Sequence, residues 1–172
     1  MNDTFLPGNG FDTYEEQDRV LIGLSGSVRS GVAVRILQQQ GFAVAAAVVR
    51  LADTPEEHAA AEAAKALAKK LDVECLALNA EALAGQDAEA ARFAALLTAA
   101  DKLGIQYVAS GHYARMETDT QGVSRLFPPE SGAPDESSRL AALSPEVLAR
   151  LILPLGDFAP EDVEDMAKDF KL

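Results

Sequence analysis

The sequence predicts an α/β fold built on a doubly wound parallel sheet, and three observations carry that prediction. Short apolar runs recur at Val20–Leu24, Ala43–Val49, Val73–Leu78 and Ile105–Ser110. The first two runs are continuously apolar rather than alternating, as expected for strands covered on both faces. Helical patterns fill the intervals between them, and strands that alternate with helices imply crossovers that return each strand parallel to the last. The order expected in the sheet is 3-2-1-4, with Val20–Leu24 in its interior.

The elements follow in turn. Val20–Leu24 runs into a Ser/Gly turn, and a helix is expected from Ser30 to Gln40, closed by Gly41. After the second strand, Thr54 is placed to cap a helix, Pro55 suits its first turn, and Glu57 stands where a capping box needs an acid. Ala60, Ala63, Ala64, Leu67, Ala68 and Leu71 form the stripe this helix is expected to bury. Asp87–Leu103 reads as a further helix, with Phe93, Leu96, Leu97 and Ala100 on one face and Gly104 at its end. Beyond Ser110 the pattern changes. His112–Phe127 suits a hairpin turning at Asp119–Gly122, Pro128–Ser138 reads as an exposed loop, and short helices are expected near Pro145–Leu151 and Pro160–Phe170.

Length and composition narrow the function. The 172 residues suit one domain, assigned to residues 19–172, after an N-terminal arm at residues 1–18 that is read as mobile. With 48% hydrophobic residues, many of them alanine, the chain has the material for a closely packed core. No apolar run is long enough for a bilayer and no signal-peptide pattern opens the chain, so a cytoplasmic protein without a membrane partner is expected. One cysteine, Cys75, excludes an internal disulfide and suits a reducing compartment, and with two histidines, His58 and His112, no zinc-type ligand set can be assembled. The formal net charge of −12 argues against a large nucleic-acid footprint of the chain's own. The acidic run Glu161, Asp162, Glu164, Asp165 reads as a solvated helix face, His58 as a solvated side chain, and Cys75 as a small buried hydrophobe.

The segment with chemical content is Gly23-Leu24-Ser25-Gly26-Ser27-Val28-Arg29-Ser30, between the first strand and the first helix. In an open α/β sheet, ligands bind beyond the carboxyl ends of the strands. A Ser/Gly turn there presents backbone N–H groups, and the helix that follows favours anions at its start. A tight strand-helix turn without a ligand accounts for the same residues equally well.

This segment resembles the PP-loop of ATP pyrophosphatases, Ser-Gly-Gly-x-Asp-Ser. Three further stretches resemble one branch, the tRNA-specific 2-thiouridylases. They are Gly104–Arg115, which contains Gly111-His112-Tyr113-Ala114-Arg115, then Ala142–Arg150, and Leu153-Pro154-Leu155-Gly156-Asp157. The segments share the family's order and spacing, and the resemblance runs from about Val20 to Leu172. It implies the adenine nucleotide alpha-hydrolase-like (HUP) fold, with ATP or AMP as cofactor. Gly23, Leu24, Ser25, Gly26, Ser27, Arg29, Ser30, Val48, Gly111 and His112 would then border the nucleotide.

The departures from the family are equally specific. Ser27 stands where the family has its second Gly, Arg29 where it has Asp, and Gly31 where it has the second Ser. The family's Asp-Gln-Ser-Tyr stretch corresponds to Asp135-Glu136-Ser137-Ser138, and neither of its catalytic cysteines has a counterpart. No catalytic and no metal-ligating residue is therefore assigned, and Mg²⁺ is left open. Arg29 is expected to bind an anion, to face solvent, or to pair with an acid. His112 is expected either beside the ligand or hydrogen-bonded to backbone. Two functions remain. One is a diverged nucleotide-binding domain that does not thiolate tRNA alone and meets tRNA through a protein partner or another domain. The other is a regulatory or interaction domain that has lost the nucleotide.

Overall fold

A computed structural model describes residues 18–172. The expected arm lies outside the described residues except for Asp18, whose carbonyl accepts a hydrogen bond from the Ala43 amide at 2.9 Å. Five parallel strands form the main sheet: β1 (Arg19–Gly23), β2 (Ala43–Arg50), β3 (Cys75–Asn79), β4 (Tyr107–Ala109) and β7 (Leu151–Ile152). Their order is β3-β2-β1-β4-β7. The expected order thus holds, with one strand added at an edge.

Strand β1 alternates sides even though every one of its apolar residues is buried. Val20, Ile22 and Leu24 join the core beneath α1 (Val28–Gln39), α2 (Pro55–Leu71) and α5 (Pro160–Asp169). Leu21 joins the opposite core, beneath α3 (Ala88–Leu103) and α4 (Pro145–Arg150). Both faces of the sheet are covered, which explains why its strands carry no polar alternation. Alanines Ala45, Ala46 and Ala47 occupy the middle of β2, beside β1. The chain steps outward from β1 to β2 to β3 and then returns through α3 to β4 on the other side of β1. The connections therefore part between β1 and β4, and a crevice opens at such a point.

The caps are chemical rather than incidental. Thr54 accepts from the Glu57 amide at 3.2 Å, with Pro55 in the first turn of α2. The expected capping box is only half made, because the Glu57 carboxylate reaches the Leu51 amide at 2.8 Å instead. The buried stripe of α2 is Ala61, Ala64, Ala68 and Leu71, so Ala60 and Ala63, expected within it, are exposed. Asp87 caps α3 through the Ala90 amide at 3.0 Å, and Gly104 ends it with a left-handed φ of 70°.

The hairpin forms as β5 (Arg115–Thr118) against β6 (Ser124–Phe127), antiparallel. The loop after it is not uniformly exposed. Glu136 is buried within it, and a 3₁₀ turn follows at Ser137–Leu140. The helix expected to reach Leu151 stops at Arg150, since Leu151 begins β7 beside Val108. Arg150 fastens this junction. Its guanidinium donates to the Gln106 carbonyl at 2.8 Å and the Ile105 carbonyl at 2.7 Å, and meets Asp101 at 2.6 Å.

Gly156 explains why the two C-terminal motifs accompany each other. A Cβ at this position would stand 2.3 Å from the Ala114 carbonyl oxygen, so the Leu153–Asp157 turn lies directly on the Tyr113–Arg115 backbone. Gly156→Ala forces two backbones apart, and overpacking of this kind costs about 1–3 kcal/mol. Denaturant unfolding monitored by circular dichroism is expected to show that loss. An unchanged midpoint would contradict the close approach.

Candidate functional site

A crevice of about 310 Å³ lies at the carboxyl ends of β1, β2 and β4, which falls within the range of small-molecule sites. Gly23, Leu24, Ser25, Ser27, Arg29, Ser30, Val48, Gly111 and His112 all line it. Three separate stretches of sequence thus converge on one cavity. Gly26, expected beside the ligand, turns the loop instead. Its φ is 77°, and a Cβ there would come within 2.8 Å of the Ala63 side chain on α2. The glycine lets the loop rest against the exposed face of α2.

The loop is organised by its own hydroxyls. Ser27 caps α1 by accepting from the Ser30 amide at 3.2 Å. Ser25 and Ser27 hydroxyls share a 2.8 Å hydrogen bond, and the Ser30 hydroxyl donates to the Ser27 carbonyl at 2.7 Å. Ser27 therefore serves as the helix cap. Capping meets one of the first-turn donors and leaves the Val28 and Arg29 amides without an intrahelical acceptor, at the positive end of the helix.

Arg29 follows in the same turn and is fixed by three contacts. Both terminal nitrogens of its guanidinium donate to Glu136 at 3.3 Å, and the group lies 4.6 Å from the centre of the Tyr113 ring. Of the three expectations for Arg29, pairing with an acid is the one the structure shows, and the residue still lines the crevice. Glu136 is the hub of this wall. It also accepts from the Tyr113 amide at 2.8 Å and from Arg139 at 3.5 Å. A carboxylate this buried requires such partners, because unpaired burial of a charge is costly. Burial pushes the Tyr113 phenol up, with Arg29 opposing the shift.

The facing wall is built around His112. Its Nδ1 shares a 2.7 Å hydrogen bond with the Ser110 hydroxyl, and its Nε2 stands 3.2 Å from Glu89. Side chains rather than backbone orient the ring. Glu89 also holds Arg92 at 3.1 Å, and Phe93 lies tilted against the imidazole at 6.3 Å between centroids. The hydrogen bond from His112 holds the Glu89 carboxyl below the ordinary glutamate value of 4.5, against the opposing effect of burial.

Sequence reasoning missed Glu89, Arg92, Phe93 and Leu96, which line the crevice from the first turns of α3, and Arg139, which lines it from the 3₁₀ turn. The α3 residues carried a usable signal, since a helix N-terminus that follows a strand end faces the same side as the loop after β1. Cys75 opens β3, at the strand end away from the crevice, and burial raises its thiol. His58 pairs with Asp53 on the exposed start of α2, and the acidic residues of α5 are exposed. Among the described residues, no group of three or more His, Cys, Asp or Glu side chains could hold a metal ion, and no helix is long and apolar enough to cross a membrane.

A carboxyl held below its unfolded value stabilises the fold above that value and loses the contribution as pH falls through its folded value. Glu89→Gln is therefore expected to cost about 1 kcal/mol at pH 7. The gap from the parent chain should narrow as pH drops below 4.5. Urea unfolding at stepped pH measures this, and a gap constant from neutral to strongly acid pH would contradict it.

The sequence matches the family described as tRNA methyl transferase HUP domain over residues 18–84 and 87–172. It is 33% identical over 184 aligned positions to the tRNA-specific 2-thiouridylase MnmA of Yersinia pestis (strain Pestoides F), covering 91% of this chain and 49% of that protein. The same values hold for the MnmA of Yersinia pseudotuberculosis serotype O:1b (strain IP 31758). The chain thus spans about half the length of the curated relatives it matches. The fold is similar to that of the U34-tRNA thiolase NcsA from Methanococcus maripaludis, solved with its [4Fe-4S] cluster. The TM-score is 0.61 at 14% identity, over 90% of this chain and 57% of that one. A predicted subunit of tRNA methyltransferase from Methanocaldococcus jannaschii superposes with a TM-score of 0.53 at 18% identity, over 88% and 74% of the two chains. The chain belongs to the tRNA methyl transferase HUP domain family.

Proposed function

We propose that residues 19–172 form one nucleotide-binding domain, that it takes an adenine nucleotide, ATP or AMP, in the crevice, and that it does not thiolate tRNA by itself. One observation carries the nucleotide reading. Nine residues singled out by their likeness to a nucleotide-binding family, drawn from three stretches of sequence, line a single cavity at the point where the sheet connections part. The purine would lie between the end of β2 at Val48 and the Phe93 and Leu96 side chains. The phosphate would approach the Val28 and Arg29 amides at the start of α1.

The lack of autonomous turnover follows from the chemistry present. Sulfur transfer needs a nucleophilic sulfur near the bound nucleotide, which a reactive thiol supplies. The one cysteine of the chain, Cys75, is at the far end of its strand and has a raised pKa. Gripping tRNA requires clustered cations, and this chain carries a net charge of −12. A protein partner or a further domain, in the cytoplasm, would supply the sulfur and the tRNA contacts. The competing reading, a regulatory scaffold that binds no nucleotide, draws support from Arg29, whose charge is already matched by Glu136.

Two measurements test these statements. Titration calorimetry is expected to show one site for AMP, lost on Ser30→Trp, which fills the crevice. Heat that is unchanged by that substitution would place the nucleotide elsewhere, and no heat at all would favour the scaffold. Incubation of the chain with unmodified tRNA, ATP, Mg²⁺ and a sulfur donor is expected to yield no thiouridine. Turnover by the isolated chain would overturn the second part of the proposal.

A further inference from the structure

The crevice is lined by three guanidiniums, those of Arg29, Arg92 and Arg139, in a chain of net charge −12. The carboxylates beside them are engaged. Glu136 accepts from Arg29, Arg139 and the Tyr113 amide. Glu89 holds His112 and Arg92, and Glu57 accepts from the Leu51 amide. Nucleotide phosphates are ordinarily accompanied by Mg²⁺, and the donors present do not fit that ion. Mg²⁺ takes hard oxygen ligands in an octahedral set and is usually held through one or two carboxylates along with phosphate. Here the loop offers a cation, Arg29, at the end of a helix that is already positive. Drawing Glu136 onto a metal would also strip Arg29 and Arg139 of their shared counter-charge.

We propose that Arg29, clamped by Glu136 and stacked on Tyr113, replaces a divalent cation at the phosphate end of the crevice, so that the ligand is a metal-free, phosphate-bearing nucleotide. This rests on the nucleotide reading above and adds to it the ionic form of the ligand and the residue that selects it. The clamp is what makes Arg29 suited to the task. Guanidinium carries five N–H donors, so the two directed at Glu136 leave others for a phosphate oxygen. The Tyr113 ring and the carboxylate fix the side chain before the ligand arrives, which lowers the ordering cost of binding. A metal chelated to the triphosphate would bring a second positive centre against the guanidinium, and like charges at short range repel.

The sign of the Mg²⁺ effect is the test, read by titration calorimetry of the full chain with AMP, ATP and inorganic pyrophosphate, each in EDTA and in excess MgCl₂. AMP is expected to bind equally in both buffers. ATP and pyrophosphate are expected to bind more tightly in EDTA, by roughly tenfold, the equivalent of one charge-assisted contact. Arg29→Ala should weaken all three in EDTA by about the same factor and abolish the Mg²⁺ penalty. Arg29→Lys keeps the charge without the two-nitrogen clamp and should recover only part of the affinity. It also guards against misfolding, because Glu136 keeps a cation; both variants are checked by thermal melting. Binding that requires Mg²⁺ overturns this inference while leaving the nucleotide reading intact. Metal-independent binding that survives Arg29→Ala also overturns it, by removing Arg29 from the site. The absence of binding in both buffers brings down both readings.

Discussion

Strand β1 has no free edge and no free face, and the arrangement of the molecule depends on that burial. Its backbone pairs with β2 on one side and β4 on the other. Val20 and Ile22 fill one core and Leu21 the other, all three fully buried. Nothing polar can happen along such a strand, because an unpaired polar group there would be costly. Chemistry is displaced to the point where the strand ends. Because β2 and β4 lie parallel to β1, their carboxyl ends arrive at the same place. The serine loop, the end of β2 and the Ser110–His112 turn are consequently neighbours without any of them being adjacent in sequence.

What fills that place is determined by charge pairing as much as by shape. The crevice has two walls, each organised by one carboxylate. Glu136 gathers the Arg29 and Arg139 side chains and the Tyr113 backbone on one side. Glu89 gathers Arg92 and His112 on the other. Both acids make the positive groups rigid at the cost of neutralising part of their charge. The crevice is therefore less acidic than the chain around it, which suits an anionic ligand within an acidic protein. Arg29 in the loop and Glu136 opposite it are two halves of one arrangement, since either charge alone would be poorly placed against its neighbours.

The sheet was legible in the sequence because β1, β2 and β4 are buried on both faces, and such strands write themselves as unbroken apolar runs. The caps at Thr54 and Gly104 were legible for a similar reason, since local backbone geometry demands those residue types. Strand β7 was not, because two residues, Leu151 and Ile152, carry no period of their own and extend only because Val108 and Ala109 offer a free edge. The α2 stripe was right at Ala64, Ala68 and Leu71 and wrong at Ala60 and Ala63, since alanines at Ala60, Ala61, Ala63 and Ala64 look alike in sequence and only the sheet selects between them. Glu136 was hidden inside a polar, Pro-rich stretch, where nothing local distinguishes a buried acid from a solvated one. Its burial follows from partners 23 and 107 residues away. The crevice residues on the loop and at Gly111-His112 were found through likeness to a family, whereas the α3 residues that complete it needed the sheet to bring them near.

The central claim is that a nucleotide seats where β1, β2 and β4 end, against the first turn of α1. Backbone amide chemical shifts in an isotope-labelled chain, followed while AMP is added in EDTA, test it most directly. The account predicts saturable shifts at Ser25–Ser30, at Val48, and at Gly111 and His112, with Cys75 and the α5 amides unmoved. Shifts confined to other surfaces, or a spectrum that AMP leaves untouched, would contradict it.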